Sequence, residues 1–328
     1  MSPAGGAAAL AGGNAMAAAN AELMPRDFAA IAAIMHSDAR IELSEAKTTL
    51  VQSRLARRLR EHGLSRFSEY VAMVQSDAQE RHAMVVALTT NHTHFFREPH
   101  HFDHFRQTVL PVLQRKQGPV RIWSAGCSSG EEVYTIAMCL LGQDRASANW
   151  LRNADVRLLA TDIAPHVVES VARGFYADNV ASGVPEPYRS AWMRPAPGGF
   201  VMADEARQLV TARVLNLFDR WPLKAQYDVI FCRNVMIYFD KPTQEKLVNR
   251  YYDVLESGGL SGEYWWYART NLWENERLTR FVPRSAYEAR ARRREIAADD
   301  DYFHVEVSRT AKALNDRGVL VNLGAHGQ

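Results

Sequence analysis

The stretch Val120-Arg-Ile-Trp-Ser-Ala-Gly-Cys-Ser-Ser-Gly-Glu-Glu-Val-Tyr134 runs from apolar residues into small ones and then straight into an amphipathic segment, Val133 to Leu141. That order predicts a strand, a tight loop and a helix, the opening unit of an α/β fold. Gly126 and Gly130 bracket the loop, so its backbone turns sharply and approaches a ligand with no β-carbon in the way. The spacing is not Gly-x-Gly-x-x-Gly, and Glu131 and Glu132 open the helix. Two carboxylates there favour the helix dipole but repel a pyrophosphate that would use the same end. The loop therefore suits a ligand carrying positive charge, such as the ammonium and sulfonium of S-adenosylmethionine, better than a dinucleotide. A turn of this kind also occurs with no ligand at all, and these residues alone leave that reading open.

The α/β pattern continues downstream. Val156 to Ala160 reads as a second strand, ending in Thr161-Asp162-Ile163, and Ala164 to Arg173 as a helix stopped by Gly174. An acid at the end of the second strand is where nucleotide-type folds hold ribose hydroxyls, and Asp162 equally suits a cap for the helix near Pro165. Residues Tyr176 to Gly199 read as irregular, with strand-like runs at Phe200-Val201 and Gln208 to Leu215 that lead into Asn216-Leu217-Phe218. Tyr227 to Cys232 is a continuous apolar run, as in a strand buried on both faces, and it ends in Arg233-Asn234-Val235-Met236-Ile237-Tyr238. A helix from Gln244 to Leu255 follows, closed by Gly258-Gly259. Gly126 to Gly130, Asp162 and Asn234 thus fall at the carboxyl edge of a parallel sheet, where ligands of open α/β sheets bind.

Upstream, the chain reads as helical. Met1 to about Ala21 is Ala- and Gly-rich, buries little and reads as disordered. Helical spacing follows over Asp27 to His36, from Ser44 to Gly63, over Phe67 to Val74 and over Arg81 to Leu88. The helix that begins near Ser44 sets Leu50, Val51, Leu55 and Leu59 against Lys47, Arg54, Arg57, Arg58 and Arg60. Those cations form either a solvated face or a docking surface for an acidic helix. Between Asn91 and Pro99 a polar run meets Phe95-Phe96-Arg97-Glu98. Arg97 is of the type that holds a carboxylate in bidentate fashion, or else forms a structural ion pair. His92, His94, His100, His101 and His104 crowd this region, but no cysteine or carboxylate completes a ligand set, so no metal is expected.

A chain of 328 residues accommodates two domains, since domains commonly run about 100–200 residues. A formal charge of +2 argues against general nucleic-acid affinity. The three cysteines, Cys127, Cys139 and Cys232, have no metal-like or disulfide-framework spacing, which fits a reducing cytoplasm. No apolar run reaches the about 18 residues of a membrane span, and no signal peptide is recognisable.

Taken together, Asn91-x-Thr93-x-Phe95-Phe96-Arg97-Glu98, Trp123-Ser124-Ala125-x-x-Ser128-x-Gly130-Glu131-Glu132, Thr161-Asp162-Ile163 and Phe231-Cys232-Arg233-Asn234-Val235-Met236-Ile237-Tyr238-Phe239-Asp240 resemble the bacterial chemotaxis receptor methyltransferases, the CheR family. The likeness runs in order from about residue 27 to residue 260. It implies a small all-helical N-terminal domain (23–90) after a tail (1–22). A Rossmann-like methyltransferase domain follows (91–290), with a small antiparallel β insertion (about 176–215) and a C-terminal tail (291–328). It implies S-adenosylmethionine as donor, S-adenosylhomocysteine as product, and glutamate side chains of chemoreceptor signalling helices as acceptors.

Carried over by position, the family's cofactor contacts fall on Asn91, Thr93, Arg97, Glu132, Asp162, Asn216, Leu217, Asn234 and Val235. The resemblance assigns receptor docking to Lys47, Arg54, Arg57, Arg58 and Arg60. An acceptor glutamate is ionised at neutral pH, so in-line displacement needs no general base. Arg97 is expected to orient a carboxylate and Tyr238 to shape the acceptor pocket. The expected protein is a cytoplasmic monomer recruited to membrane receptor arrays, with no nucleic-acid partner. Other readings are a methyltransferase of the same fold with a different acceptor, or a non-catalytic module that uses the cofactor as sensor or scaffold. The segment Ser261 to Trp273 departs from the family's usual Gly-His-Ser-Glu signature.

Overall fold

The computed structural model describes residues 21–254 together with 264–265, 282–283 and 320–321. Two units separate by their contacts: one runs to Thr90 and takes in Tyr238–Asp240, and the other comprises Asn91–Ile237 and the chain from Lys241 onward.

In the first unit, apolar residues at three- and four-residue intervals build helices α1 (Pro25–Ala39), α2 (Thr48–Glu61), α3 (Phe67–Ser76) and α4 (Ala78–Leu88). Pro25 opens α1, where its missing N–H costs nothing. Asp77 caps α4 by accepting from the amides of Gln79 at 2.8 Å and Glu80 at 3.1 Å. Ile31, Met35, Val51, Leu55, Leu59, Tyr70, Val74 and Met84 are fully buried. Each side chain of this size contributes about 1.5–3 kcal/mol by leaving water. The carboxylate of Glu80 is buried as well; it accepts from Arg58 Nε at 2.9 Å, Tyr70 Oη at 2.6 Å and His62 Nε2 at 2.7 Å.

The second unit is built on a parallel sheet. β1 (Val120–Ala125) pairs on one side with β2 (Val156–Asp162), which pairs with β6 (Val210–Val214), and on the other side with β7 (Val229–Cys232). β10 (Leu320–Val321) adds to β7, also in parallel. All four residues of β7 are buried, as a strand covered on both faces requires. Helix α7 (Glu131–Leu141) carries the chain from β1 towards β2, and α8 (Pro165–Arg173) leaves β2. The strand order reverses at β1, which puts the ligand crevice of such a sheet beyond the carboxyl ends of β1 and β7. Before β1, α5 (Pro99–His104) passes through a π-helical turn, Phe105–Val109, into α6 (Leu110–Arg115). This run packs Phe102 and Phe105 against Phe231 of β7, with ring centroids 6.3 and 5.7 Å apart.

A second, antiparallel sheet has the order β3 (Phe175–Ala177), β5 (Gly199–Met202), β4 (Met193–Ala196). Helices α9 (Asp178–Ala181), α10 (Glu186–Trp192) and α11 (Asp204–Arg207) accompany it. The sequence reading of 176–199 as irregular is corrected here: its elements are too short for periodicity to register. Gly199 makes the pairing possible, since a β-carbon there would lie 2.2 Å from the Tyr176 carbonyl oxygen. The insertion also ends earlier than residue 215, because Val210–Val214 belongs to the parallel sheet. Tyr264–Trp265 (β8) pairs antiparallel with Val282–Pro283 (β9).

The Ala/Gly-rich start through residue 20 and Gly258-Gly259 lie outside the described residues. So do the rest of 261–273 and of the tail from 291. Among the described residues no helix is long and apolar enough to cross a membrane.

Candidate cofactor site

The loop after β1 is held by its own amides. Gly126 N and Cys127 N donate to Thr161 O at 2.8 and 2.9 Å, and Ser128 N donates to Asp162 Oδ2 at 2.9 Å. Ser128 Oγ donates to Asn91 O at 3.0 Å, so the start of the 91–98 segment is fastened to the same loop. Gly130 has φ +98°, and a β-carbon on it would lie 2.9 Å from both Tyr176 Oη and Val171 Cγ2. The loop therefore lies on its surroundings with no room for a side chain, as the bracketing glycines imply.

Asp162, at the end of β2, accepts on one oxygen from Ser128 N and on the other from Ala164 N at 3.0 Å. Burial raises its pKa, against which the backbone N–H bonds of Ala164 and Ser128 act. The helix-cap reading does not hold, since Ala164 caps α8 and no side chain bonds into its first turn. An ionised carboxylate retains lone pairs beyond these two bonds, so Asp162 can still accept from a ligand hydroxyl.

Glu132 stands at the start of α7 with Oε1 receiving Ser124 Oγ at 2.7 Å and Oε2 receiving Arg233 Nη1 at 3.0 Å. Burial raises its pKa, and Arg233 opposes the rise. Arg233 sits in the motif after β7, where spacing alone assigns it no role. The available signal is a guanidinium directly after a fully buried strand, where a cation requires carboxylate partners. Glu98 is such a partner, with Oε2 3.3 Å from Arg233 Nη2 and Oε1 receiving Asn234 Nδ2 at 3.3 Å. Burial would raise the Glu98 pKa, but His101, Arg233 and Asn234 hold it far below the usual carboxylate range.

The 91–98 segment turns through left-handed backbone at Phe96 (φ 53°) and Glu98 (φ 55°). Phe96 N donates to Thr135 Oγ1 at 3.1 Å, tying the turn to α7. Arg97 donates to His92 O at 2.9 Å, with Nε 4.0 Å from Glu98 Oε1. Thr93 is half-buried on the same segment. After β6, Asn216 Oδ1 receives Phe218 N at 3.0 Å, while Leu217 O receives Trp221 Nε1 at 3.1 Å and also Arg250 Nη1. Asn91, Thr93, Arg97, Glu132, Asp162, Asn216, Leu217, Asn234 and Val235 all fall in the second unit. The donor set fits a cationic amino-acid ligand joined to a nucleoside: a buried carboxylate at the helix start, a second at the end of β2, and tightly packed glycine backbone between them.

Comparison with known proteins gives the same answer independently. Residues 26–89 match the all-alpha domain of CheR methyltransferases, and residues 91–261 match the CheR methyltransferase SAM-binding domain. The chain is 43% identical over 235 residues to a probable chemotaxis protein methyltransferase of Rhizobium etli, covering 69% of this chain and 86% of that protein. It is 40% identical to chemotaxis protein methyltransferase 2 of Pseudomonas aeruginosa, covering 67% and 78% of the two chains. The chemotaxis protein methyltransferase of Escherichia coli is 36% identical, with 71% and 81% covered. The chain belongs to the CheR methyltransferase family. It is an S-adenosylmethionine-dependent methyltransferase.

Within this CheR family member the cations of α2 divide by environment. Arg54 is turned onto the end of α4, donating to Leu88 O at 2.8 Å, Thr89 O at 2.9 Å and Thr90 Oγ1 at 3.1 Å. Arg58 points inward to Glu80. Arg57 is 79% exposed and pairs with Glu61 at 2.8 Å, and Arg60 is exposed. Lys47 lies with its Nζ 5.9 Å from the Tyr238 ring centroid. Tyr238, on the turn Met236–Tyr238, thus falls in the first unit, whereas Arg97 falls in the second. Among the described residues no group of three or more His, Cys, Asp or Glu side chains is arranged to hold a metal ion. His101 instead receives Arg233 Nε at 3.1 Å on Nδ1.

Proposed function

We propose that this enzyme methylates glutamate side chains on the acidic helices of chemoreceptor cytoplasmic regions, giving glutamyl methyl esters. The observation that carries the reading is the fixed carboxylate pair beside the glycine loop, Glu132 and Asp162, in a chain whose relatives are chemotaxis methyltransferases. When bound, S-adenosylmethionine supplies an activated methyl group. Glu132 would hold the methionine ammonium and Asp162 the ribose hydroxyls, with Asn91, Thr93, Asn216, Leu217, Asn234 and Val235 completing the site. Arg97 orients the acceptor carboxylate. The acceptor is already an anion at neutral pH, so the protein supplies alignment and a dry site. Well-oriented reactants gain up to about 7–11 kcal/mol in this way. The enzyme works in the cytoplasm as a monomer at receptor arrays, docking through the exposed cations of α2.

The test is transfer of labelled methyl to chemoreceptor cytoplasmic fragments, scoring label released as methanol by mild base. Base-labile label on a receptor is expected. Label on no receptor, with cofactor binding intact, would overturn the acceptor assignment.

A further inference from the structure

Arg233 is a buried charge of the second unit with several partners. It is 7% exposed, lies with its guanidinium carbon 5.0 Å from the Phe102 ring centroid, and donates to groups from three separate segments. Nη1 reaches Glu132 Oε2 at the start of α7 at 3.0 Å. Nε reaches His101 Nδ1 at 3.1 Å on α5. Nη2 reaches Glu98 Oε2 at 3.3 Å and also the Arg97 carbonyl. A guanidinium has five donors in a rigid fork, and this arrangement uses all three of its nitrogens.

We propose that Arg233 is a positioning residue for the cofactor: it holds Glu132 as a fixed anion and pins the Arg97 backbone, so that α7 and the 91–98 segment present one rigid face to the methionine end. The proposal deepens the function proposed above and rests on its assignment of Glu132 to the methionine ammonium. His101 Nδ1 lies 3.1 Å from Arg233 Nε and 3.2 Å from Glu98 Oε2, and its pKa is lowered, first by burial, which disfavours a second cation there. Arg233 is the cation that faces Glu132. Glu98 faces it as a second anion, Ser124 donates to it from β1, and Cys127, Cys232 and Tyr251 surround it as buried groups whose ionisation is suppressed. Removing the guanidinium leaves burial and Glu98 acting together, and both favour the protonated carboxyl. Glu132 then loses its charge at a higher pH than in the native enzyme.

The test is calorimetric titration of the full chain with S-adenosylhomocysteine between about pH 6 and about pH 7.5, below the range in which the ligand's own α-ammonium loses its proton. Wild-type affinity is expected to be nearly constant. Arg233→Met should bind at least about tenfold more weakly at the acid end and recover as pH rises. Arg233→Lys keeps the charge but not the fork, so it should bind more weakly at every pH with a flat profile. Wild-type affinity in Arg233→Met, or an equal loss at every pH, overturns the proposal. If Arg233→Met does not fold, the lysine variant decides: wild-type affinity, or a loss confined to acid pH, overturns it. Glu132→Gln separates this proposal from the functional one. Wild-type binding in that variant removes Glu132 from the cofactor site and this proposal with it, while base-labile label on receptors would still stand.

Discussion

Gly126 and Val235 meet so closely that a β-carbon on Gly126 would lie 2.3 Å from Val235 Cγ2. Gly126 follows β1 and Val235 follows β7, the two strands between which the order of the sheet reverses. The contact packs the loop after β1 against the segment after β7. Gly126 also has φ +82°, in the left-handed region that a β-carbon disfavours.

Gly126→Ala therefore carries two penalties, about 1–2 kcal/mol for the backbone and about 1–3 kcal/mol for overpacking. Val235→Ala in the same chain relieves only the second. The expected order of urea midpoints is wild type, then the double variant, then Gly126→Ala. A single variant as stable as wild type would contradict the contact.

Glu80 makes the stability of the helical unit depend on pH. Burial raises its pKa, but hydrogen bonds from Arg58, Tyr70 and His62 outweigh burial and the net shift is downward. A lowered folded pKa stabilises above the unfolded value of about 4.3 and loses that stability as pH falls through the folded value. Arg58 is 24% exposed, so Glu80→Gln should cost about 2 kcal/mol at neutral pH, less than the about 3–5 kcal/mol of a fully buried pair. The gap from wild type should close in acid. Urea denaturation followed by circular dichroism at both pH values measures it, and a gap that stays constant with pH would exclude the charged-pair account.

The cations of α2 should separate into two phenotypes. Arg57→Glu with Arg60→Glu changes exposed side chains, so receptor methylation should fall at least about tenfold while S-adenosylhomocysteine affinity stays put. The loss should grow as salt is lowered, because screening then no longer hides the reversed charges. Arg54→Ala instead removes three hydrogen bonds at the end of α4 and should lower stability by about 1–3 kcal/mol. Equal methylation by the double variant and wild type at low salt would remove α2 from docking.

Arg97→Ala tests the acceptor assignment. The guanidinium bonds to His92 O, and its proposed second task is to orient the acceptor. Removing an orienting charge commonly costs about 10²-fold in turnover. Methyl transfer should fall by that order while S-adenosylhomocysteine binding weakens much less. Unchanged turnover with unchanged affinity would discard the assignment.

The positions of these groups were legible in the sequence to different depths. The β1 loop, Asp162 and the buried β7 run announced themselves through glycine spacing and apolar continuity, and the parallel sheet assembled from them. The small antiparallel sheet left no such trace, because strands such as Phe175–Ala177 are too short to show alternation. Arg54 and Arg58 read as surface charge because helical spacing assigns faces, not partners; Glu80 and the end of α4 lie far along the chain. Arg233 was hidden for the same reason, as its partners Glu98, His101 and Glu132 are brought to it only by the sheet.

Asp162→Asn probes the ribose end of the site. Both carboxylate oxygens receive backbone N–H groups, from Ser128 and from Ala164, whereas an amide offers one oxygen and one NH2. Either orientation sets a donor against a donor in a side chain only 8% exposed. A buried group left without its bond costs about 1–3 kcal/mol, so stability should fall by that amount. Affinity for S-adenosylhomocysteine should fall further, at least about tenfold, because the Ser128 anchor of the glycine loop and the hydroxyl acceptor are lost together. Glu132→Gln, at the other end, should weaken competition by methionine but spare competition by adenosine, and Asp162→Asn should do the reverse. If both variants impaired the two competitors equally, the division of the crevice into a methionine end and a ribose end would fail.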